Sequence, residues 1–252
     1  MKVYIVGAGP GNPEWLTVQA ERLLRQARIC VYAGSLVNPQ ILELLPASCE
    51  RHDSASMSLD EIIAVCRDAH RRDVDVIRLH TGEPSIYGAI GEQMNALVPL
   101  GIDFTMVPGI SAFQAAAAAL QCELTAPGLA QTVILTRAAG RTPLPASQEL
   151  AGLAAHRATL CIYLSTHQAT EICAQLRPHY GGDCPAAAVY HASWPDQRIL
   201  RGTLTTLPAM IDEAQITRTA LLLVGEAINR PDSVSKLYDA AFSHGYRKAS
   251  VS

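Results

Sequence analysis

Residues Val3-Tyr4-Ile5-Val6-Gly7-Ala8-Gly9-Pro10-Gly11-Asn12-Pro13 decide the fold. Four apolar, strand-prone residues run directly into a glycine-rich turn, and Asn12-Pro13 are helix-start residues. Glycine after a strand lets backbone approach a ligand closely, and a helix start attracts anionic groups. A dinucleotide fold is the obvious reading, and the spacing argues against it. That fingerprint, G-x-G-x-x-G, needs a third glycine where helix packs on strand. Here the third glycine comes one residue early, at Gly11, and Pro10 stiffens the turn. The next strand pattern, Ile29-Cys30-Val31-Tyr32, ends in Ala33-Gly34, with no Asp or Glu to hold a ribose hydroxyl. The loop belongs to a different binder of nucleotide-like ligands.

Outward from this loop, strand and helix patterns alternate. A helix is expected from Pro13, with Leu16, Ala20, Leu23, Leu24 and Ala27 on one face. Strands are expected near 29–33, 74–79 and 102–107. A short helix should begin near Pro39. Ser58 with Glu61 reads as a capping box opening a helix. Further helices are expected at 88–98 and 111–121. The pattern then restarts: strands at 132–136, 159–164, 186–191, 197–204 and 220–224, and helices from Pro145, over 168–177 and over 207–214. Two α/β domains follow, 1–118 and 119–230, with a polar tail at 231–252. Ligands of open α/β sheets sit beyond the carboxyl ends of strands. Glycine- or proline-rich segments fall at such ends in both halves: 7–11, 81–84, 108–112, 165–167 and 191–196. Their spread suggests a cleft between the domains.

Composition narrows the function classes. The chain has 252 residues, about half apolar, and a net charge of −3. That is a globular composition with no general field for nucleic acid. No apolar run approaches the roughly 18 residues of a membrane span, and the start of the chain does not read as a signal peptide. The seven cysteines contain no C-x-x-C and read as reduced core thiols of a cytoplasmic protein. No His/Cys spacing resembles a metal site.

The motifs then combine. The first loop with Leu16-Thr17, Arg78-Leu79-His80-Thr81-Gly82-Glu83-Pro84-Ser85-Ile86-Tyr87-Gly88, and Val107-Pro108-Gly109-Ile110-Ser111-Ala112 together resemble the tetrapyrrole (corrin/porphyrin) methyltransferase family. The resemblance runs from Lys2 to about Asn229 and includes Pro195-Asp196-Gln197-Arg198 and Arg201-Gly202-Thr203-Leu204. Tyr32–Val37 and His191–Asp196 resemble the branch that methylates C(11) of precorrin-4 in cobalamin synthesis. The resemblance implies the family's class III methyltransferase fold. It also implies S-adenosylmethionine as donor, S-adenosylhomocysteine as product, a tetrapyrrole acceptor and a homodimer. It carries donor contacts onto Pro10, Thr81, Gly82, Glu83, Ile86, Ser111, Ala112, Leu164, Ala192 and Ala220. Glu83 stands where many relatives carry Asp.

Read as chemistry, these residues suit such a donor. Glycines and Pro10 let backbone groups meet the ligand, and Ile86, Ala112, Leu164 and Ala220 supply apolar walls. Methyl transfer to an electron-rich carbon needs alignment and exclusion of water more than a nucleophilic side chain, and no residue is marked as a catalytic base. A macrocycle with many carboxylate arms calls for arginine forks, and Arg137 and Arg141 are the best candidates. His191 and Trp194 are further candidates for the acceptor. His80 reads as a hydrogen-bonded structural histidine. Three other readings stay open: a nicotinamide oxidoreductase, a non-catalytic tetrapyrrole carrier, and a relative acting on a cobalt-bearing macrocycle or another carbon.

Overall fold

The computed structural model describes residues 1–140, 142–229, 235, 242, 243 and 245–248. Arg141 and most of the expected tail lie outside the described residues. The chain groups into two compact units. The first holds Met1–Ala115 with His191–Gln197, and the second holds Ala116–Tyr190 with the chain from Arg198 on.

In the first unit β1 (Lys2–Gly7), α1 (Val18–Arg25), β2 (Ile29–Tyr32), α2 (Pro39–Leu42), β3 (Glu50–Asp53), α3 (Leu59–Arg71), β4 (Val76–His80), α4 (Ile90–Leu97) and β5 (Asp103–Val107) follow in order. The five strands form a parallel sheet in the order β3-β2-β4-β1-β5. Side chains alternate across β1. Val3 and Ile5 pack with Ile62 and Ile63 of α3 and Ile90 and Leu97 of α4. Val6 packs on the opposite face with Ala20 and Leu24 of α1 and Ile41 of α2. The chain thus leaves the adjacent ends of β1 and β4 toward opposite faces, the switch point where open α/β sheets take ligands.

α5 (Ala112–Leu120) contains the division between the units. The second unit continues with β6 (Val133–Arg137), α6 (Leu150–Ala154), β7 (Thr159–Tyr163), α7 (Ala169–Tyr180), β8 (Pro185–Tyr190), β9 (Arg198–Thr203), α8 (Leu207–Glu213) and β10 (Ala220–Val224). Its sheet runs β6-β7-β10-β8-β9, and only β6 and β7 are parallel. Leu160, Ile162 and Leu222 pack there against Ile172 and Leu176 of α7 and Leu207 and Ile211 of α8. None of the seven cysteines is in a disulfide, and burial pushes the Cys30, Cys161 and Cys184 thiols up to about 12. No helix among the described residues is long and apolar enough to cross a membrane.

Several boundaries differ from the sequence reading, each for a local reason. The helix expected from Pro13 starts at Val18. Asn12 caps only a single turn, Pro13–Trp15, and Thr17 caps the helix proper by accepting from the Ala20 amide at 3.1 Å. α4 starts at Ile90 because Tyr87 and Ala89 adopt left-handed backbone, φ 56° and 49°. The helix from Pro145 is a single turn, Ala146–Gln148, followed by α6. α7 continues through Pro178 to Tyr180. β3 was not expected. Glu50-Arg51-His52-Asp53 carries no apolar alternation, and the strand exists through its pairing with β2.

Candidate active site

At the carboxyl ends of β1, β4 and β5 three loops meet through their backbones. A Cβ built at Gly7 would lie 2.6 Å from both the Gly109 nitrogen and the Gly82 oxygen. One at Gly109 would lie 2.2 Å from the Gly82 oxygen. Only glycine permits this approach. Hydrogen bonds close the junction. The Ala8 amide donates to the His80 carbonyl at 2.7 Å, and Gly9 and Gly82 exchange amide-to-carbonyl bonds of 3.2 and 2.8 Å.

Glu83 ties the β4 loop to the β5 loop. One carboxylate oxygen accepts from the Gly109 amide at 2.8 Å, the other from the Ser85 amide at 3.0 Å. Burial raises its pKa, but the bonds from Gly109 and Ser85 outweigh that and hold it below the usual carboxylate range. The Gln114 side chain accepts from the Ser111 amide at 2.9 Å, one half of a capping box at the start of α5, and Ala112 opens that helix. Thr81 is exposed and Ile86 half-buried in the same β4 loop. Gly82 is the one glycine of this junction with room beside it. Its φ is +61°, and a Cβ there would meet nothing closer than the Ile110 carbonyl at 3.9 Å.

Beneath the junction, Arg78 and His80 face the α3/α4 side of the sheet. The buried Arg78 guanidinium donates to Gln93 Oε1 at 2.9 Å and to the Val31 carbonyl at 3.2 Å. His80 differs from expectation: its Nε2 is buried without a hydrogen-bond partner. Burial, reinforced by the Arg78 charge, pushes its pKa down to about 3, so the ring is neutral.

Segment 191–197 folds onto the first glycine loop. Trp194 Nε1 donates to the Pro10 carbonyl at 2.7 Å. The Asn12 amide donates to Ser193 Oγ at 3.0 Å, and Asn38 Nδ2 donates to the Gly11 carbonyl at 2.9 Å. The Trp194 indole lies over Gly11, where a Cβ would sit 2.1 Å from Nε1. His191 stacks on Trp194 with ring centroids 4.7 Å apart, and its Nδ1 bonds the Asp196 carboxylate at 2.9 Å. Ala192 is buried between these residues in sequence. Pro10, Ala192, His191 and Trp194 are thus brought together in the first unit. Sequence reading missed Asn38 and Ser193, whose partners lie 27 and 181 residues away.

In the second unit the loops after β6 and β7 and the start of β10 are joined. The Ala138 amide donates to Ser165 Oγ at 2.8 Å, and Thr166 Oγ1 donates to the Ala220 carbonyl at 2.9 Å. Leu164 precedes this pair in left-handed backbone, φ 55°, with its side chain 68% exposed. A β-carbon residue there is strained, and its apolar side chain points at no core. Arg137 is turned inward on its own loop. It donates to the carbonyls of Ala138 (3.3 Å), Thr142 (3.1 Å) and Pro143 (2.9 Å). Its guanidinium braces backbone rather than presenting an open fork. Arg141 lies outside the described residues.

Comparisons with known proteins agree with this architecture. The profile of the family Tetrapyrrole (Corrin/Porphyrin) Methylases matches residues 2–208. The precorrin-4 C(11)-methyltransferase of Pseudomonas aeruginosa is 47% identical over 248 residues, covering 98% of this chain and 99% of that protein. The crystal structure of a cobalt precorrin-4 methyltransferase of cobalamin biosynthesis superposes with a TM-score of 0.88 at 41% identity, covering 90% of this chain and 95% of that one. A uroporphyrin-III C-methyltransferase from Thermus thermophilus, complexed with S-adenyl homocysteine, gives 0.76 at 29% identity, over 91% and 94% of the two chains. Two α/β units, the first with a glycine junction at the ends of its parallel strands, matched over this length, place the chain in the family: it belongs to the tetrapyrrole (corrin/porphyrin) methylases.

Proposed function

We propose that this protein transfers a methyl group from S-adenosylmethionine to C(11) of precorrin-4. The observation that carries the donor half is Gly82, left-handed and open-sided, at the switch point of a parallel sheet. The acceptor half rests on the 47% identity to a precorrin-4 C(11)-methyltransferase over nearly the whole chain. The donor, when bound, supplies an electrophilic methyl on a sulfonium. The methyl–sulfur bond breaks as the carbon–carbon bond forms, sulfur becomes a neutral thioether, and the macrocycle loses a proton.

The protein's own part is orientation and exclusion of water. In this reading Pro10, Thr81, Gly82, Ile86, Ser111, Ala112 and Ala192 form the donor surface of the first unit. Glu83 shapes that surface by holding Gly109 and Ser85. Leu164 and Ala220 keep the donor role that the family resemblance implies. We also propose that the protein acts in the cytoplasm as a homodimer, which sedimentation of the purified chain tests. Calorimetry tests the donor half. S-adenosylmethionine and S-adenosylhomocysteine should each bind once per protomer and NAD should not; tight NAD binding without donor binding would replace this reading with an oxidoreductase.

A further inference from the structure

The first glycine loop is fixed far more tightly than a turn requires, and Trp194 is the centre of the fixing. Two successive peptide planes are involved. Proline locks its own φ, so a hydrogen bond to the Pro10 carbonyl removes the remaining soft torsion, ψ. Trp194 Nε1 makes that bond at 2.7 Å. The next peptide, joining Gly11 to Asn12, is held at both ends: its carbonyl by Asn38 Nδ2 at 2.9 Å and its amide by Ser193 Oγ at 3.0 Å.

Gly11 makes room for this arrangement. A Cβ there would lie 2.1 Å from Trp194 Nε1 and 2.2 Å from the neighbouring ring carbon. The displaced third glycine of the loop therefore has a partner in tryptophan, 183 residues along the chain, rather than in a helix packed on a strand.

The holding segment is itself built at a cost. His191 and Ser193 both adopt left-handed backbone, φ 46° and 72°. Strain of this kind persists where surrounding structure over-determines it. Here Asp196 anchors His191, His191 stacks on the indole, and the Gln197 side chain accepts from the Ser193 amide at 2.7 Å. The Trp194 amide donates to the His191 carbonyl at 2.9 Å, closing the segment on itself. Trp194 spends its only polar atom on Pro10, so it has no donor left for an acceptor carboxylate.

We infer that Trp194 is a positioning residue for the methyl donor, a latch that sets the Pro10 and Gly11 peptide planes, and not a cover for the macrocycle. The inference rests on the donor reading proposed above. It makes the affinity for donor depend on a residue that acts through the loop backbone.

The test is Trp194→Phe in the full-length protein, which keeps an aromatic side chain in the segment and removes the indole N–H together with part of the ring over Gly11. One lost neutral hydrogen bond predicts a rise of roughly 3- to 10-fold in the dissociation constant for S-adenosylhomocysteine and in KM for the methyl donor. KM for the tetrapyrrole and the melting temperature should stay close to wild type. Hydrogen exchange of the Gly11 and Asn12 amides should quicken in the same variant, a readout that needs no ligand. Ser193→Ala, which removes the other bond to the loop, should shift donor affinity and exchange in the same direction, and it serves if Trp194→Phe does not fold. Unchanged donor affinity with unchanged exchange in a folded variant overturns the latch. So does an effect confined to the tetrapyrrole KM. Wild-type protein that binds no donor at all would break the proposed function and with it the donor-positioning role, and quickened exchange in the variants would then show only that Trp194 holds the loop.

Discussion

The loops of the two units are held by different means. In the first, Gly7, Gly82 and Gly109 bring backbone against backbone, and Glu83, Asn38, Ser193 and Trp194 add side-chain bonds around that backbone junction. In the second, side chains brace the loops: Ser165 holds Ala138, Thr166 holds Ala220, and Arg137 clasps three carbonyls of its own loop. A loop made of backbone presents fixed dipoles at short range and leaves space for a ligand where a side chain would have been. In the second unit the Arg137 guanidinium, which sequence reading assigns to the acceptor, is engaged by carbonyls of its own turn. The donor role of the first unit is the proposal made above.

The comparison breaks most severely at Gly109. A valine there would drive its β-carbon into the Gly82 carbonyl, with no flexible side chain to yield, and should destabilise the first unit by more than about 3 kcal/mol. Circular dichroism and chemical denaturation of Gly109→Val measure this, and a normally folded variant would mean the junction is looser than described. Gly82→Val separates ligand from fold. The site has room beside it, so the cost to folding is the left-handed backbone alone, of order 1–3 kcal/mol, while donor affinity should fall by about 100-fold or more. Calorimetry on the folded variant decides, and wild-type donor affinity would remove Gly82 from the site.

His80 sharpens the comparison through pH. Its folded pKa of about 3 lies below the ordinary histidine value, so its contribution to stability is complete above about pH 6.5 and is lost as pH falls toward 3. Carboxylates such as Glu50, Asp68 and Glu83, whose pKa values are also held low, add their loss only below about pH 4.5. Between pH 6.5 and 4.5 His80 contributes a slope of about 2–3 kcal/mol over those two units. Urea midpoints should show it in the wild type, and His80→Gln should flatten it; an unchanged slope would place the ring in water. The smallest effect is expected at Arg137. Removing its bonds to backbone in Arg137→Ala should loosen the loop by about 1–2 kcal/mol without changing donor affinity. Proteolysis of the 138–143 stretch measures the loosening. A loss confined to tetrapyrrole turnover, with the loop as resistant as before, would return Arg137 to the acceptor site.

What the sequence disclosed follows the range of each interaction. The Ser58–Glu61 capping box was legible because its two bonds, 3.3 and 2.7 Å, join residues three apart. The β1 loop was legible because glycine and proline announce backbone geometry wherever they stand. β3 was not, since Glu50–Asp53 is a polar edge strand defined by its neighbour alone. The early glycine was visible and its reason was not, because the reason is an indole supplied from position 194. Arg137 shows the converse limit. Charge and spacing suggested a clamp, and neither can say that three carbonyls of the same turn reach the guanidinium first. His80 was expected to be hydrogen-bonded, and the partner it lacks is likewise a fact of three-dimensional packing.

The most direct test of the whole account is one reaction. The purified protein is incubated with S-adenosylmethionine carrying a ¹³C methyl group and with metal-free precorrin-4, and the product is read by NMR. The account predicts one labelled methyl per macrocycle, on C(11), with an equal amount of S-adenosylhomocysteine released. A macrocycle recovered without label, or labelled at any other carbon, would contradict it.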